Sequence, residues 1–115
     1  IIFFELSDHS CPVQDFLDSL DGKMAARLYG LMDILSDFGN ELREPYSKPL
    51  GDGIFELRAK VSSNITRVLY FFCVGHKIIV TNGFVKKTSK TPQREIEQAK
   101  KYRDLYYLQT TTERK

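Results

Sequence analysis

A chain of 115 residues, 42% hydrophobic and 12% aromatic, has the length and apolar content of one domain spanning residues 1–115. Its two cysteines, Cys11 and Cys73, lack ligand-like spacing to the histidines, which excludes a disulfide framework and a zinc site and leaves buried free thiols as the expectation. The longest apolar run, VLYFFCV at residues 68–74, is too short to cross a bilayer, and with no charged leader and cleavage site the reading is a soluble, cytoplasmic protein.

IIFFEL at the start is β-branched and aromatic and predicts a short buried strand. The period then changes. Ser10 is placed to cap a helix with Pro12 in its first turn, and Val13, Phe16, Leu17 and Leu20 fall on one face until Asp21-Gly22 interrupts it. Met24, Leu28, Leu31 and Leu35, joined by Ile34 and Phe38, repeat at helical spacing in a second helix that Gly39-Asn40 ends. Residues 41–53, with Pro45, Pro49, Gly51 and Gly53, predict a loop. Strands follow over 54–61, 64–74 and 77–86, joined by the two-residue turns Ser62-Ser63 and Gly75-His76. Thr91-Pro92 opens a last helix that runs to Leu108, and the tail, residues 110–115, is expected to fray. The fold class is α+β in the order β-α-α-β-β-β-α, a small, mostly antiparallel sheet with an N-terminal helical hairpin and a C-terminal helix.

A formal net charge of +2 hides an asymmetry. Residues 1–45 hold three basic and nine acidic residues, net −6, whereas the remainder holds 14 basic and six acidic, net +8. Such a distribution points the second half toward an anionic partner. The middle strand is apolar on both faces except for Arg67, so both faces of the sheet must be covered and Arg67 is the anomaly.

Antiparallel partners keep a constant sum of residue numbers. If Val61 faces Asn64 across the first turn, Arg58 faces Arg67; if Val74 faces Lys77 across the second, Arg67 faces Phe84. Opposed residues share a face, so Arg58, Arg67 and Phe84 form a row that Lys86 joins two positions on, near a strand end continuing into Lys87 and Lys90. Like charges set opposite each other repel. Glu56 or a helix carboxylate can pair with the arginines, but a phosphate satisfies the excess better because its oxygens match a guanidinium fork.

Other chemistries find little support. His9 and His76 read as surface residues in turns, no nucleophile–histidine–acid set can be assembled, and the basic half lacks the paired carboxylates of glycosidase or two-metal chemistry. No GxxxxGK[ST] loop occurs, and Tyr102, Tyr106 and Tyr107 read as packing groups on the last helix.

KPLGDGIFELR (residues 48–58), Arg67 within TRVLYFF, and FVKKTSKTPQREIEQA (residues 84–99) closely resemble the HigB-like, phage-derived branch of the RelE/ParE toxin superfamily, over nearly the whole chain. The resemblance implies a RelE-like fold and a ribosome-dependent mRNA endonuclease that inhibits translation. It implies the toxin of a type II toxin-antitoxin system, with a helix-turn-helix (HigA-like) antitoxin, the ribosome and mRNA as partners, and neither cofactor nor metal. By the same resemblance Arg58, Arg67, Phe84, Lys86 and Lys87 match the family's basic and aromatic site positions; Arg58, Arg67, Lys86 and Lys87 are expected to be catalytic, and Phe84, Lys48 and Lys90 to bind RNA. Arginine keeps its proton below a pKa of about 12, so Arg58 and Arg67 are assigned to charge stabilisation. A lysine crowded by like charges has its pKa lowered, which assigns Lys86 or Lys87 to proton transfer, while Phe84 stacks on a base beside the cut. Two rival functions share these features: a ParE-type gyrase poison, which needs no phosphate-binding row, and a non-catalytic nucleic-acid-binding regulator, for which the +8 half suffices.

Overall fold

A sheet packed on both faces sets the architecture, seen in a computed structural model that describes residues 1–74, 76–85 and 90–113. In chain order come β1 (Ile2–Phe3), α1 (Pro12–Asp18), α2 (Gly22–Phe38), a 3-10 turn (Gly39–Glu41), β2 (Ser47–Gly51), β3 (Ile54–Val61), β4 (Asn64–Cys73), β5 (Lys77–Val85) and α3 (Gln93–Glu113). The strands form one sheet in the order β1-β5-β4-β3-β2, antiparallel except for the β1–β5 pair. The fold is α+β, as the sequence predicts.

Both sheet faces are covered, which is what the apolar run of β4 requires. Leu17, Leu28 and Leu35 of the helical hairpin pack against Leu57, Val68 and Tyr70 on one face; Ala99 of α3 packs with Ile54, Leu69 and Phe71 on the other. Tyr102 stacks on Phe4 with ring centroids 4.9 Å apart, and Tyr106 meets Phe71 edge-on at 5.9 Å, so these tyrosines are packing groups.

Several local expectations change. Ser10 does not cap α1; its hydroxyl and its N–H both bond to Asp8 Oδ1, and Cys11 precedes the helix without a side-chain cap. Asp21 interrupts α1 by capping α2, its carboxylate accepting from the Met24 N–H at 2.8 Å. Ile34 lies off the stripe set by Leu28, Leu31 and Leu35 and is exposed, as is Phe38 at the last turn; Met32 is buried instead. IIFFEL yields only two paired residues, of which Ile2 is exposed, and Phe4 just beyond them supplies the burial. Cys11 and Cys73 are free but half-buried.

The largest departure lies in residues 41–53, which contain β2 rather than loop alone. β2 is an edge strand, pairing with β3 from Ser47–Leu57 to Gly51–Ile54. An edge has one side without a ladder, so Pro49, whose missing N–H marks a break in sequence, costs no hydrogen bond there. At the other end of the chain, α3 continues past Leu108 to Glu113, with the Thr110 hydroxyl bonded back to the Tyr106 carbonyl at 3.0 Å.

Register is where the fold makes the site. The Ser62-Ser63 hairpin pairs Val61 with Asn64 and Arg58 with Arg67 as expected. The next connection is one residue longer than two: Cys73, not Val74, faces Lys77. A β-bulge at Thr81 then inserts one residue into β5, so that Tyr70 faces Val80 but Leu69 faces Asn82, and Arg67 meets Phe84 after all. Without the bulge Arg67 would face Gly83 and the Phe84 side chain would turn to the opposite face. The extra residue is held by its own hydroxyl, which donates to the Leu69 carbonyl at 3.2 Å and to Asn82 Oδ1 at 2.6 Å.

α3 is fastened to the β2–β3 turn. Lys100 Nζ lies 2.6 Å from Asp52 Oδ2, and Arg103 Nη1 donates to the Asp52 carbonyl. The Lys100 ammonium holds the Asp52 carboxyl below its usual range, and Asp52 raises Lys100 in turn. The carboxylate's share of this clasp is present above its unfolded pKa of about 3.9 and is lost as pH falls through the lower folded value. The lysine's share is lost as pH rises through its raised folded value. Among the described residues, no helix is long and apolar enough to cross a membrane.

Gly83 lies under the ring of Phe16, and a Cβ there would overlap the ring's edge carbons. Gly83→Ala should therefore destabilise the fold by about 1–3 kcal/mol, the usual cost of overpacking. Gly30→Ala, in mid-helix with open space around its Cβ, should stabilise by about 0.5–1 kcal/mol. Urea unfolding of the two variants beside the parent chain checks both signs.

Candidate functional site

On the α3 side of the sheet, Glu56 and Arg58 of β3 alternate with the core residue Leu57, and Arg67 of β4 stands opposite Arg58. α3 covers this face only in part. Between the β2 edge and the start of α3 a cleft of about 450 Å³ remains, lined by Glu44, Lys48, Glu56, Arg58, Arg67, Lys90 and Thr91 among others. β2, absent from the sequence reading, forms one wall and brings Lys48 opposite Glu56.

Arg67 is not left for an external anion. It and Glu56 are each only 4% exposed, with Arg67 Nε 2.8 Å from Glu56 Oε2 in an ion pair. Arg67 Nη1 donates to Thr91 Oγ1 at 2.8 Å, and the Thr91 hydroxyl donates to Glu56 Oε1 at 3.0 Å. Of the two partners open to Arg67, the protein's own carboxylate holds it. The reason is desolvation: a cation taken out of water at a doubly covered strand requires a counter-charge in place whether or not a ligand is bound.

Arg58 differs. It is half-buried and lines the cleft, and among the described residues no hydrogen bond or ion pair is made by its guanidinium. Its backbone N–H is satisfied by the Tyr46 carbonyl at 2.9 Å. With Glu56 matched to Arg67, the remaining charges of the described lining are Arg58, Lys48 and Lys90 against Glu44. The cleft is therefore cationic, and one of its cations is half-desolvated without a carboxylate among the described residues, a setting that favours a phosphate or carboxylate ligand.

The other sequence-predicted residues divide. Lys48 and Lys90 join Arg58 and Arg67 in the cleft. Phe84 does share their face, but it lies beyond Arg67 on β5, about 10 Å from Arg58 at two strand spacings, and packs against the cluster of Phe4, Leu69 and Phe71 instead of lining the cleft. Lys86 and Lys87 lie outside the described residues. His9 and His76 are surface residues. Glu56 and Thr91 were not assigned to the site by sequence. Glu56 had a readable signal, since the register that pairs Glu56 with Leu69 makes it a diagonal neighbour of Arg67. Thr91, read as the opening of a helix, had none.

Removing one member of a buried pair strands the other. Arg67→Met should lower stability by about 3–5 kcal/mol, and adding Glu56→Gln should recover part of that loss. Urea midpoints of the two single variants and the double variant measure the coupling; strictly additive effects would contradict it.

By sequence, the chain has no match among curated proteins. Residues 15–104, which include the last four residues of α1, all of α2 and every cleft residue named above, match the profile of the family described as Phage derived protein Gp49-like (DUF891). With most of its length matched, and with the α+β fold that the resemblance implies, the chain belongs to this Gp49-like phage-derived family, a type II toxin family related to the RelE/HigB-like toxins.

Proposed function

We propose that the chain is the HigB-like toxin of a type II toxin-antitoxin pair, a ribosome-dependent mRNA endonuclease acting in the cytoplasm and neutralised by a helix-turn-helix antitoxin. The observation that carries this reading is Arg58: a half-buried guanidinium in a cationic cleft, flanked by Lys48 and Lys90, with no carboxylate of the described residues against it.

Cleavage uses the RNA's own nucleophile. The 2′-hydroxyl attacks the adjacent phosphorus, a P–O2′ bond forms, and the P–O5′ bond breaks. The proton leaves the 2′-oxygen for a base, and another is delivered to the departing 5′-oxygen. The products are a 2′,3′-cyclic phosphate and a 5′-hydroxyl. Negative charge grows on the non-bridging oxygens during attack, and a preoriented guanidinium stabilises it where water is excluded. Arg58 takes that role. Lys48 and Lys90 hold flanking phosphates, and Lys86 or Lys87 carries the proton transfers. Phe84, about two strands from Arg58, stacks on a base away from the scissile phosphate.

Arg58→Ala is the informative variant, because substituting Arg67 also disturbs the fold. It should cut the single-turnover rate on ribosome-bound mRNA by roughly 10²–10³-fold while leaving thermal unfolding near that of the parent. Induced expression with mapping of mRNA 5′ ends, with and without ribosomes, should give ribosome-dependent cuts bearing cyclic phosphates. Free 3′-hydroxyl ends would exclude the mechanism. Intact mRNA with inhibited DNA supercoiling would replace this reading with the ParE-type one.

A further inference from the structure

We propose that Glu56 and Thr91 are positioning residues: together they lock the Arg67 guanidinium at the floor of the cleft, and through Thr91 they set where Lys90 enters it. The effect on cleavage rests on the nuclease reading; the lock itself does not.

The three groups close a ring. Arg67 Nε lies 2.8 Å from Glu56 Oε2 as an ion pair without hydrogen-bond geometry, Nη1 donates to Thr91 Oγ1, and Thr91 passes its hydroxyl hydrogen to Glu56 Oε1. A guanidinium can only donate, so the Thr91 oxygen must accept from Arg67 and its single hydrogen is left for the carboxylate. Both Glu56 oxygens are used, one by each neighbour. Turning Glu56 or Arg67 away would separate two buried charges, because both are almost entirely out of solvent, and turning Thr91 would break its bonds to both.

The ring also spans the chain. Glu56 is on β3, Arg67 on β4, and Thr91 lies two residues before α3. Thr91 is thus the fastening between the sheet and the start of that helix, beside the Asn82 amide, which donates to the Glu95 carbonyl at 3.3 Å and to Glu95 Oε1 at 3.2 Å. Lys90 is covalently next to Thr91 and lines the same cleft as Arg58 and Arg67. One hydroxyl therefore fixes one cation by hydrogen bond and a second by chain connectivity. A site whose cations must meet phosphate oxygens within a fraction of an ångström depends on that kind of support.

Thr91→Val keeps the shape and removes both hydrogen bonds, whereas Thr91→Ser keeps them. In single-turnover cleavage, Thr91→Val should lose roughly 10–100-fold in kcat with KM within about threefold of the parent, the signature of misplacement. Thr91→Ser should return to within about threefold. Glu56→Gln, which retains the shape without the charge, serves if the valine variant does not fold. Independently of catalysis, the Arg67 Nε–H should give a resolved, slowly exchanging NMR signal in the parent and in Thr91→Ser, and lose it in Thr91→Val and Glu56→Gln. An unchanged Arg67 signal in a folded Thr91→Val or Glu56→Gln, or a serine variant as impaired as the valine one, overturns the inference. A parent chain that never cleaves RNA overturns the nuclease reading, and the NMR comparison then decides the lock alone.

Discussion

A cation placed in the strand that is covered on both faces must be neutralised from within, and Arg67 on β4 is that cation. Taking a guanidinium and a carboxylate out of water costs several kcal/mol each, which their attraction offsets only with good geometry and with the remaining polar atoms satisfied. The molecule brings Arg67 Nε to 2.8 Å from Glu56 Oε2 and, by drawing Thr91 into the pair, gives hydrogen bonds to Arg67 Nη1 and Glu56 Oε1. Much of the α3 side follows from this. The ring requires Glu56 and Arg67 to stand diagonally across β3 and β4, and it requires the start of α3 to approach the sheet at that point.

The same constraint divides labour between two arginines that the sequence leaves equivalent. Set opposite one another, they repel, and the repulsion is relieved differently for each. Arg67 is compensated by protein; Arg58, one strand closer to the sheet edge and only half-buried, is left facing the cleft. An internally paired Arg67 beside a half-buried Arg58 keeps the cleft cationic while the more deeply buried charge has its counter-charge in place.

What the residues disclosed, and what they concealed, follows from the range of the interactions. Hydrophobic period and turn chemistry act locally, so both helices of the hairpin, β3, β4, β5 and the start of α3 were legible to within a residue or two. β2 was not: Pro49 reads as a breaker, and only the presence of β3 beside it makes an edge strand of Ser47–Gly51. Ile34 and Phe38 carry the same apolar chemistry as Leu31 and Leu35 yet lie in solvent, because helical phase relative to the sheet decides which residues are covered.

The sequence by itself determined that Arg58 and Arg67 face each other, since the two-residue turn at Ser62-Ser63 fixes a register in which nothing distant takes part. It determined, too, the charge asymmetry and the resemblance that FVKK and KTP carry. Only the tertiary structure decided that the longer connection after Cys73 is made good by the bulge at Thr81, which puts Phe84 on the arginine face. It alone decided that Arg67 has an internal partner and Arg58 has none among the described residues. The reason is physical: register and helical period are set by neighbours along the chain, whereas burial, and with it the need for a counter-charge, is conferred by segments that meet only on folding.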